Sequence, residues 1–103
     1  MININIQTHD DSIVGLNMHG HANYAVHGQD IVCAGASSIA IGLCNALDIL
    51  HKNAKCTISN NIISIKILDA DIVSNTIMKT AIIQLETMAE SYKKNFKIIK
   101  QEV

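Results

Sequence analysis

Two runs near the start of the chain alternate between apolar and polar residues, which is the pattern of strands with one buried face. The apolar positions are Ile2, Ile4 and Ile6 in the first run and Val14, Leu16 and Met18 in the second. Asp10 and Asp11 lie between the runs and turn the chain. The pattern therefore predicts an antiparallel hairpin with one face in contact with water.

A second hairpin is predicted in the middle of the chain. Residues 56–59 and an alternating run of isoleucines flank the pair Asn60-Asn61, and asparagine accepts the positive φ values of a tight hairpin turn. The isoleucines of this run are Ile63, Ile65 and Ile67. A short last strand is predicted around Phe96 and Ile98.

Two stretches repeat apolar residues at helical steps of three and four. The repeating positions are Ile39, Leu43, Leu47 and Leu50 in the first stretch and Met78, Ile82, Leu85, Ala89 and Tyr92 in the second. We predict helices from Ile31 to Lys52, with Asn53 as the residue just beyond the end, and from Ile72 to Tyr92. Asp69 or Asp71 is placed to cap the start of the second helix.

The order of these elements, ββαββαβ, predicts an α+β fold. Residues 1–103 contain no proline, no low-complexity tract and no long charge run, so we predict a single domain. The economical packing is a mixed or antiparallel sheet with two amphipathic helices on one face. The other face then needs polar side chains, a partner, or both.

Composition narrows the class of protein. Eight lysines, no arginine and nine acidic residues give a net charge of −1, which excludes a strongly basic protein that binds nucleic acid directly. The segment from Ile31 to Leu47 has no charge, but it falls short of the ~20 apolar residues of a membrane span and is followed by Asp48. We therefore expect a buried helix and no membrane association.

The three cysteines are an odd number without a CxxC motif, which argues against a disulfide framework and a zinc ribbon. We expect reduced thiols and a cytoplasmic protein. The first residues show no signal-peptide pattern, so the mature protein is expected to start near Met1.

Candidate chemistry is concentrated between His19 and Gly35, which contain three of the five histidines and one cysteine. With Asp30 as N-cap, Cys33 falls in the first helical turn, where backbone N–H groups and the helix dipole favour a thiolate. His21, at the end of the second strand, is close enough along the chain to form a thiolate–imidazolium pair with Cys33. The N–H groups near Cys33 are expected to hold the oxyanion of an acyl-transfer reaction.

Other interpretations of the same residues remain open. A cysteine in an apolar helix is usually an inert small hydrophobe, and Cys44 and Cys56 fit that description. His19 and His21, with His27 or Cys33, also have the composition of a metal site, but a His-x-His pair alone is weak support. Solvent-exposed or dipole-capping roles suffice for the remaining two histidines, His9 and His51.

The same segment carries a family resemblance. The signature of the ribosomal-processing cysteine proteases, called the Prp or YsxB-like family, resembles the run Gly20-His21-Ala22-x-Tyr24-Ala25-x-x-Gly28-x-Asp30-Ile31-Val32-Cys33-Ala34-Gly35-x-Ser37. Ala36 stands where a larger aliphatic residue is commoner, and the Tyr-Pro pair that many members carry near the last strand is absent. Neither departure touches His21 or Cys33.

The resemblance implies a small bacterial cysteine endopeptidase. Family members of this kind remove an N-terminal extension from the twenty-seventh protein of the large ribosomal subunit, form homodimers and need no cofactor. His21 and Cys33 occupy the positions of the family's catalytic dyad, and Asp30 occupies a position with a structural or orienting role.

Residues 20–30 are flanked by glycine and lack apolar periodicity, which predicts a mobile loop that orders over a bound peptide. Candidates for contacts with the substrate in and after this loop are Gly20, Ala22, Tyr24, Gly28, Gly35, Ser37 and Ser38. Two other functions fit the sequence: a non-catalytic ribosome-assembly module that binds the same precursor, and a regulatory module that binds metal through His19, His21 and Cys33.

Overall fold

The computed structural model describes residues 1–26 and 29–103. Five strands and two long helices follow one another in the predicted order, with one short 3-10 turn before the last strand. The strands are β1 (Ile2–His9), β2 (Ser12–Gly20), β3 (Ala54–Ser59), β4 (Ile62–Ile67) and β5 (Phe96–Glu102), and the helices are α1 (Ile31–Leu50) and α2 (Ile72–Ser91). The α+β class is confirmed, and the described residues form one domain.

The strands form one mixed sheet in the order β3-β4-β2-β1-β5. Both hairpins and the β2–β4 pair are antiparallel, whereas β1 and β5 are parallel and pair from Ile2 with Phe96 onwards. In the β2–β4 pair His19 lies opposite Ile62, so the turn of the second hairpin lies alongside the end of β2. This register was not predictable from the sequence pattern, and it determines which residues surround the site.

Both predicted hairpin turns form through residues with positive φ. Asp10 and Asp11 have φ values of 47° and 67°, and Asn60 and Asn61 have values of 48° and 66°. Two successive positive φ values give a tight turn whose twist matches that of the flanking strands. Aspartate and asparagine tolerate this left-handed region better than other side chains, which explains their positions here.

The core lies between one face of the sheet and the two helices. The alternating residues of β1, β2 and β4 and the inner faces of α1 and α2 form one buried cluster. Its most deeply buried large side chains are Ile2, Ile4, Ile6, Leu16, Leu47, Ile65, Met78 and Leu85. The opposite face of the sheet carries polar side chains, including a 2.6 Å hydrogen bond from Ser64 to Asn17.

The helix ends differ slightly from the prediction. Helix α1 ends at Leu50 rather than Lys52, and Lys52, not Asn53, takes the left-handed conformation with φ of 53°. The Nε2 atom of His51 lies 2.6 Å from Oδ2 of Asp71, the N-cap of α2. This interaction links the end of one helix to the start of the next.

Helix α1 has the length and composition of a membrane span, with a mean hydropathy of 1.6. A core helix passes the same test, and α1 buries Val32, Ala36, Ala40, Leu43 and Leu47 in the common core. The structure therefore agrees with the predicted buried helix.

Candidate functional site

A cleft of about 590 Å³ lies where β2 ends, α1 begins and the β3–β4 hairpin turns. Its apolar wall contains Ile2, Met18, Ile41, Ile58 and Ile63. Its polar lining contains His19, His21, Asn23, Asp30, Cys33, Ser37 and Asn61. This volume is within the range of sites that bind small ligands or short peptide segments.

Cys33 lies in the first turn of α1, as predicted, and its side chain is half-buried. Asp30 is the N-cap: its Oδ1 accepts a hydrogen bond of 2.9 Å from the backbone N–H of Cys33. This bond, more than any other contact, lowers the pKa of the Asp30 carboxyl below its usual value. Asp30 is therefore a carboxylate at neutral pH, and its position next to Cys33 comes from capping the helix.

The second carboxylate oxygen of Asp30 holds the loop. Its Oδ2 accepts a hydrogen bond of 3.0 Å from the backbone N–H of Tyr24, so Asp30 links the loop to the helix start. The N–H groups of Cys33 and Ala34 already donate to the Asp30 side chain and to its carbonyl oxygen, so neither is free to hold an oxyanion. An oxyanion site at this helix start stays a prediction for the N–H groups of the residues before Cys33.

Asp30→Asn is expected to keep the helix cap and lose the link to Tyr24, because an amide has only one oxygen to accept with. At pH 7 the variant should unfold at a midpoint lower than wild type by about 2–5 °C. The pKa of Asp30 is lower in the folded protein than in the unfolded chain. The carboxylate therefore stabilises the fold at every pH above the pKa of the unfolded chain, and this contribution is lost as the pH falls through the lowered pKa of the folded protein. Thermal unfolding from pH 7 downwards should show the difference shrinking below about pH 4; a constant difference would contradict this account.

His21 follows β2 directly and lies at the mouth of the cleft, exposed to solvent. The amino group of Met1 donates a hydrogen bond to the His21 carbonyl oxygen. The His21 ring lies against the side chain of Asn61, with Nε2 at 3.4 Å from the Asn61 Nδ2 atom. The backbone of His21 is therefore bound by Met1, just before β1, and its ring is contacted by Asn61, just before β4.

Gly20 makes the bend that directs His21 into the cleft. Its φ is +95°, and a Cβ atom there would lie 2.3 Å from the carbonyl oxygen of Met1. A side chain at this position is both strained and in collision with backbone. Gly20 is thus a conformational requirement of the site.

Gly20→Ala is expected to move His21 out of position and to reduce cleavage of a peptide substrate by at least about tenfold. Gly42→Ala is the matched control, because a Cβ atom at Gly42 in α1 meets nothing within 4 Å. The control should keep full activity, and its thermal unfolding midpoint should be slightly higher than that of wild type, since alanine favours the helix. Equal activity of the two variants in a peptide-cleavage assay would refute the role assigned to Gly20.

Besides the hydrogen bond between Tyr24 and Asp30, three contacts anchor the described part of the loop after His21. Ala22 is buried in the core, and its carbonyl oxygen accepts a 2.9 Å hydrogen bond from the Asn95 side chain. The Tyr24 ring packs edge-on against Tyr92, with centroids 5.5 Å apart. The mobility of residues 20–30 stays a prediction, and these contacts argue against it for residues 22–24.

The structure brings only some of the predicted site residues together. Gly20, His21, Asp30, Cys33 and Ser37 line the cleft. Four other candidates lie elsewhere in the fold, and Gly28, with His27, is outside the described residues. These four are Ala22 in the core, Tyr24 against Tyr92, Gly35 facing Met88 of α2, and Ser38 in the groove between the two helices.

The other two cysteines lie away from the cleft lining. Cys44 is buried in α1, and burial raises the pKa of its thiol to about 12, with neighbouring Cys56 adding to the effect. A thiol in this state is protonated at neutral pH and is a poor nucleophile. Among the three cysteines, Cys33 is thus the one that combines access from the cleft with a helix start.

Within residues 1–26 and 29–103, one group of three side chains has the spacing of a metal site. It consists of His9 and Asp10 at the β1–β2 turn and Glu102 at the end of β5, all exposed. The predicted alternative set, His19, His21 and Cys33, does not form such a group. The metal-binding alternative therefore has no support from this geometry.

The part of the site that comes from the β3–β4 hairpin was not predictable from the sequence. Ile58, Asn61 and Ile63 line the cleft, although only the turn was predicted at Asn60-Asn61. No local signal identifies them, because their position depends on β4 pairing with β2.

The chain is similar to proteins of known function. The sequence pattern of one family, described as cysteine protease Prp, matches residues 1–97. The chain belongs to this family. It is therefore a cysteine protease, which decides against the non-catalytic assembly module.

Individual relatives within the Prp family agree with this assignment. The ribosomal processing cysteine protease Prp of Staphylococcus aureus strain Mu50 is 29% identical over 103 residues, which cover 95% of this chain and 97% of that protein. The Bacillus subtilis strain 168 protein of the same name is 48% identical over 44 residues, 43% of this chain and 39% of that protein.

Solved structures of the S. aureus protease share the fold. Its crystal structure with a covalently linked product peptide aligns with a TM-score of 0.87 and 29% identity, covering 97% of this chain and 99% of that chain. A second crystal structure, with a substrate peptide, aligns with a TM-score of 0.86. Peptide binding is thus described for a relative with the same fold.

Proposed function

We propose that this chain removes the N-terminal extension from the precursor of the large-subunit ribosomal protein number twenty-seven, with Cys33 as nucleophile and His21 as general acid and base. One observation carries the proposal: the thiol and the imidazole, separated by a loop in the sequence, line one cleft of peptide-binding size. The peptide complexes of the S. aureus relative support the same kind of substrate.

The chemistry follows from these two groups. The Cys33 thiolate attacks the scissile carbonyl carbon, and His21 gives its proton to the nitrogen of the departing peptide. The C–N bond breaks and a thioester to Cys33 remains. His21 then takes a proton from water, whose oxygen attacks the thioester, and Cys33 leaves as a thiolate while the new carboxylate departs.

In the described contacts the His21 ring is bonded to Asn61 rather than to the Cys33 sulfur. Catalytic hydrogen bonds are often long or absent in a free enzyme and shorten when the substrate binds. We propose that the His21 imidazolium stabilises the Cys33 thiolate across the cleft in the free protein, and that a bound peptide, by excluding water, shortens the distance between the ring and the sulfur.

Asp30 contributes to catalysis by positioning the two segments that carry His21 and Cys33. Its carboxylate fixes both the start of α1 below Cys33 and the loop that follows His21. Because the Asp30 charge offsets the positive end of the helix dipole, the positive charge that stabilises the thiolate has to come mainly from the His21 imidazolium.

Incubation of purified protein with the precursor, followed by mass measurement of the products, tests the substrate. The expected result is one cut that releases the extension as a single peptide. A control precursor with the residues around the cut replaced should stay intact. An uncut natural precursor, in the presence of an active-site thiol that alkylates normally, would reject the substrate assignment.

Two further expectations from the resemblance belong to this proposal. We propose a homodimer, for which the exposed apolar side chains Ile49, Leu50 and Ile72 offer surface, and a cytoplasmic location. Sedimentation equilibrium at micromolar concentrations should give twice the chain mass. A monomer at all concentrations up to about 100 μM would contradict the dimer, since a Kd weaker than this means an interface of only a few kcal/mol.

A further inference from the structure

We propose that Asn61 is a positioning residue that holds the His21 ring in its working orientation through an amide-to-imidazole hydrogen bond. This inference rests on the proposed function, because it concerns the same histidine. The proposal is based on one contact in the wall of the cleft: Nδ2 of Asn61 lies 3.4 Å from Nε2 of His21. Asn61 comes from the β3–β4 hairpin, 40 residues further along the chain than the histidine.

The hairpin is a firm support for such a contact. Asn61 precedes β4, which pairs with β2 through Met18 opposite Ile63 and His19 opposite Ile62. Met18 and Ile63 are both buried. The backbone of Asn61 is therefore held next to the sheet, and its exposed side chain contacts the ring that follows the end of β2, so Asn61 limits where the ring turns.

The conformation of the β3–β4 turn explains why an asparagine occupies position 61. Asn60 and Asn61 both have positive φ, as a two-residue hairpin turn requires. Asparagine, aspartate and glycine are the residues that accept this conformation easily. Of these, only asparagine brings a side chain with both a donor and an acceptor. Of the two turn residues, Asn61 lines the cleft and Asn60 does not.

An amide suits a ring that changes its protonation state. When Nε2 carries no proton, the Asn61 Nδ2 group donates to it. When Nε2 carries a proton, a half-turn about the Cβ–Cγ bond puts Oδ1 in the place of Nδ2, and Oδ1 accepts the bond. In this second arrangement Nδ1 is the nitrogen that exchanges protons with Cys33 and the substrate. Papain-like cysteine proteases combine cysteine, histidine and asparagine in the same way.

Two glycine variants separate the side chain from the turn. Asn61→Gly removes the amide and preserves the left-handed turn, and Asn60→Gly makes the same exchange at the neighbouring position. For Asn61→Gly we expect kcat to fall about tenfold, the effect of one lost neutral hydrogen bond, with KM changed less than twofold. Asn60→Gly should keep both constants within twofold of wild type.

A second measurement needs no substrate. It reports the reactivity of the Cys33 thiol, which a residue that only supports the turn is not expected to change. The rate at which iodoacetamide alkylates Cys33 is followed against pH by peptide mass. Asn61→Gly should lower this rate several-fold at pH 7, because the ring no longer stays where it stabilises the thiolate. Asn61→Asp should restore the rate, since its carboxylate accepts from Nε2–H and favours the imidazolium.

Three results would overturn the inference: alkylation and kcat of Asn61→Gly equal to wild type, an equal loss in Asn60→Gly, or no recovery of alkylation in Asn61→Asp. Failure of the proposed function is distinguishable from these. A wild-type protein that leaves the precursor uncut fails as a processing enzyme, while the alkylation series still reports whether Asn61 positions His21.

Discussion

Cys33→Ser is expected to lower the rate of peptide cleavage by at least about 10³-fold, because a hydroxyl is a far weaker nucleophile than the thiolate it replaces. Folding should be unaffected, since the side chain is half-buried in the first turn of α1 and serine is well tolerated there. The measurement is single-turnover cleavage of the precursor, with product masses recorded over hours.

Cys56→Ser is the matched control for this variant. Cys56 is also half-buried, but it lies on β3 and does not line the cleft. It should cleave at a rate within about twofold of wild type. If Cys33→Ser retained more than a tenth of wild-type activity while Cys56→Ser lost it, the nucleophile would have been assigned to the wrong residue.

His21→Gln should reduce kcat by about 10²–10⁴-fold, the usual contribution of a positioned general acid and base. Because the Asp30 carboxylate already offsets the helix dipole, loss of the imidazolium should also slow the alkylation of Cys33 at neutral pH. Both effects should shrink at high pH, where the thiol ionises without help. Parallel pH–rate profiles of cleavage and alkylation provide the measurement.

His9→Gln is the control for the histidine exchange. His9 lies at the end of β1, at the far hairpin, where its ring contacts the backbone of Val103. The contact with the Val103 carbonyl oxygen and the nearby Asp10 carboxylate raise the pKa of His9 above its usual value. Unchanged profiles for His9→Gln together with unchanged profiles for His21→Gln would remove the histidine from the mechanism.

Much of the fold was predictable because local patterns determine it. The alternating isoleucines of β1 and β4 identify strands, and Asp10-Asp11 and Asn60-Asn61 identify turns whose positive φ values suit these side chains. The start of α1 was predicted correctly because Asp30 is a good N-cap. Its end was predicted two residues late because the interaction of His51 with Asp71 is a tertiary contact.

The site was predictable only where its residues are close along the chain. His21, Asp30 and Cys33 fall in one segment with recognisable spacing, and the structure brings them to one cleft. Asn61 was not predictable, because its approach to His21 follows from the pairing of β4 with β2. The hydrogen bond from the Cys33 N–H to the Asp30 side chain follows from Asp30 as N-cap, but its consequence, that this N–H is not free to hold an oxyanion, was not predicted.

The parallel pairing of β1 with β5 has a consequence for how the protein forms during synthesis. Asn5 and Gln101, whose side chains meet across this pair, are 96 residues apart in the chain. Contacts of such separation form late, so on the ribosome β1 waits with an unpaired edge until β5 has left the exit tunnel. Nascent chains arrested before Phe96 should therefore expose the edge of β1 to chaperones, even though every residue that lines the cleft has already been translated.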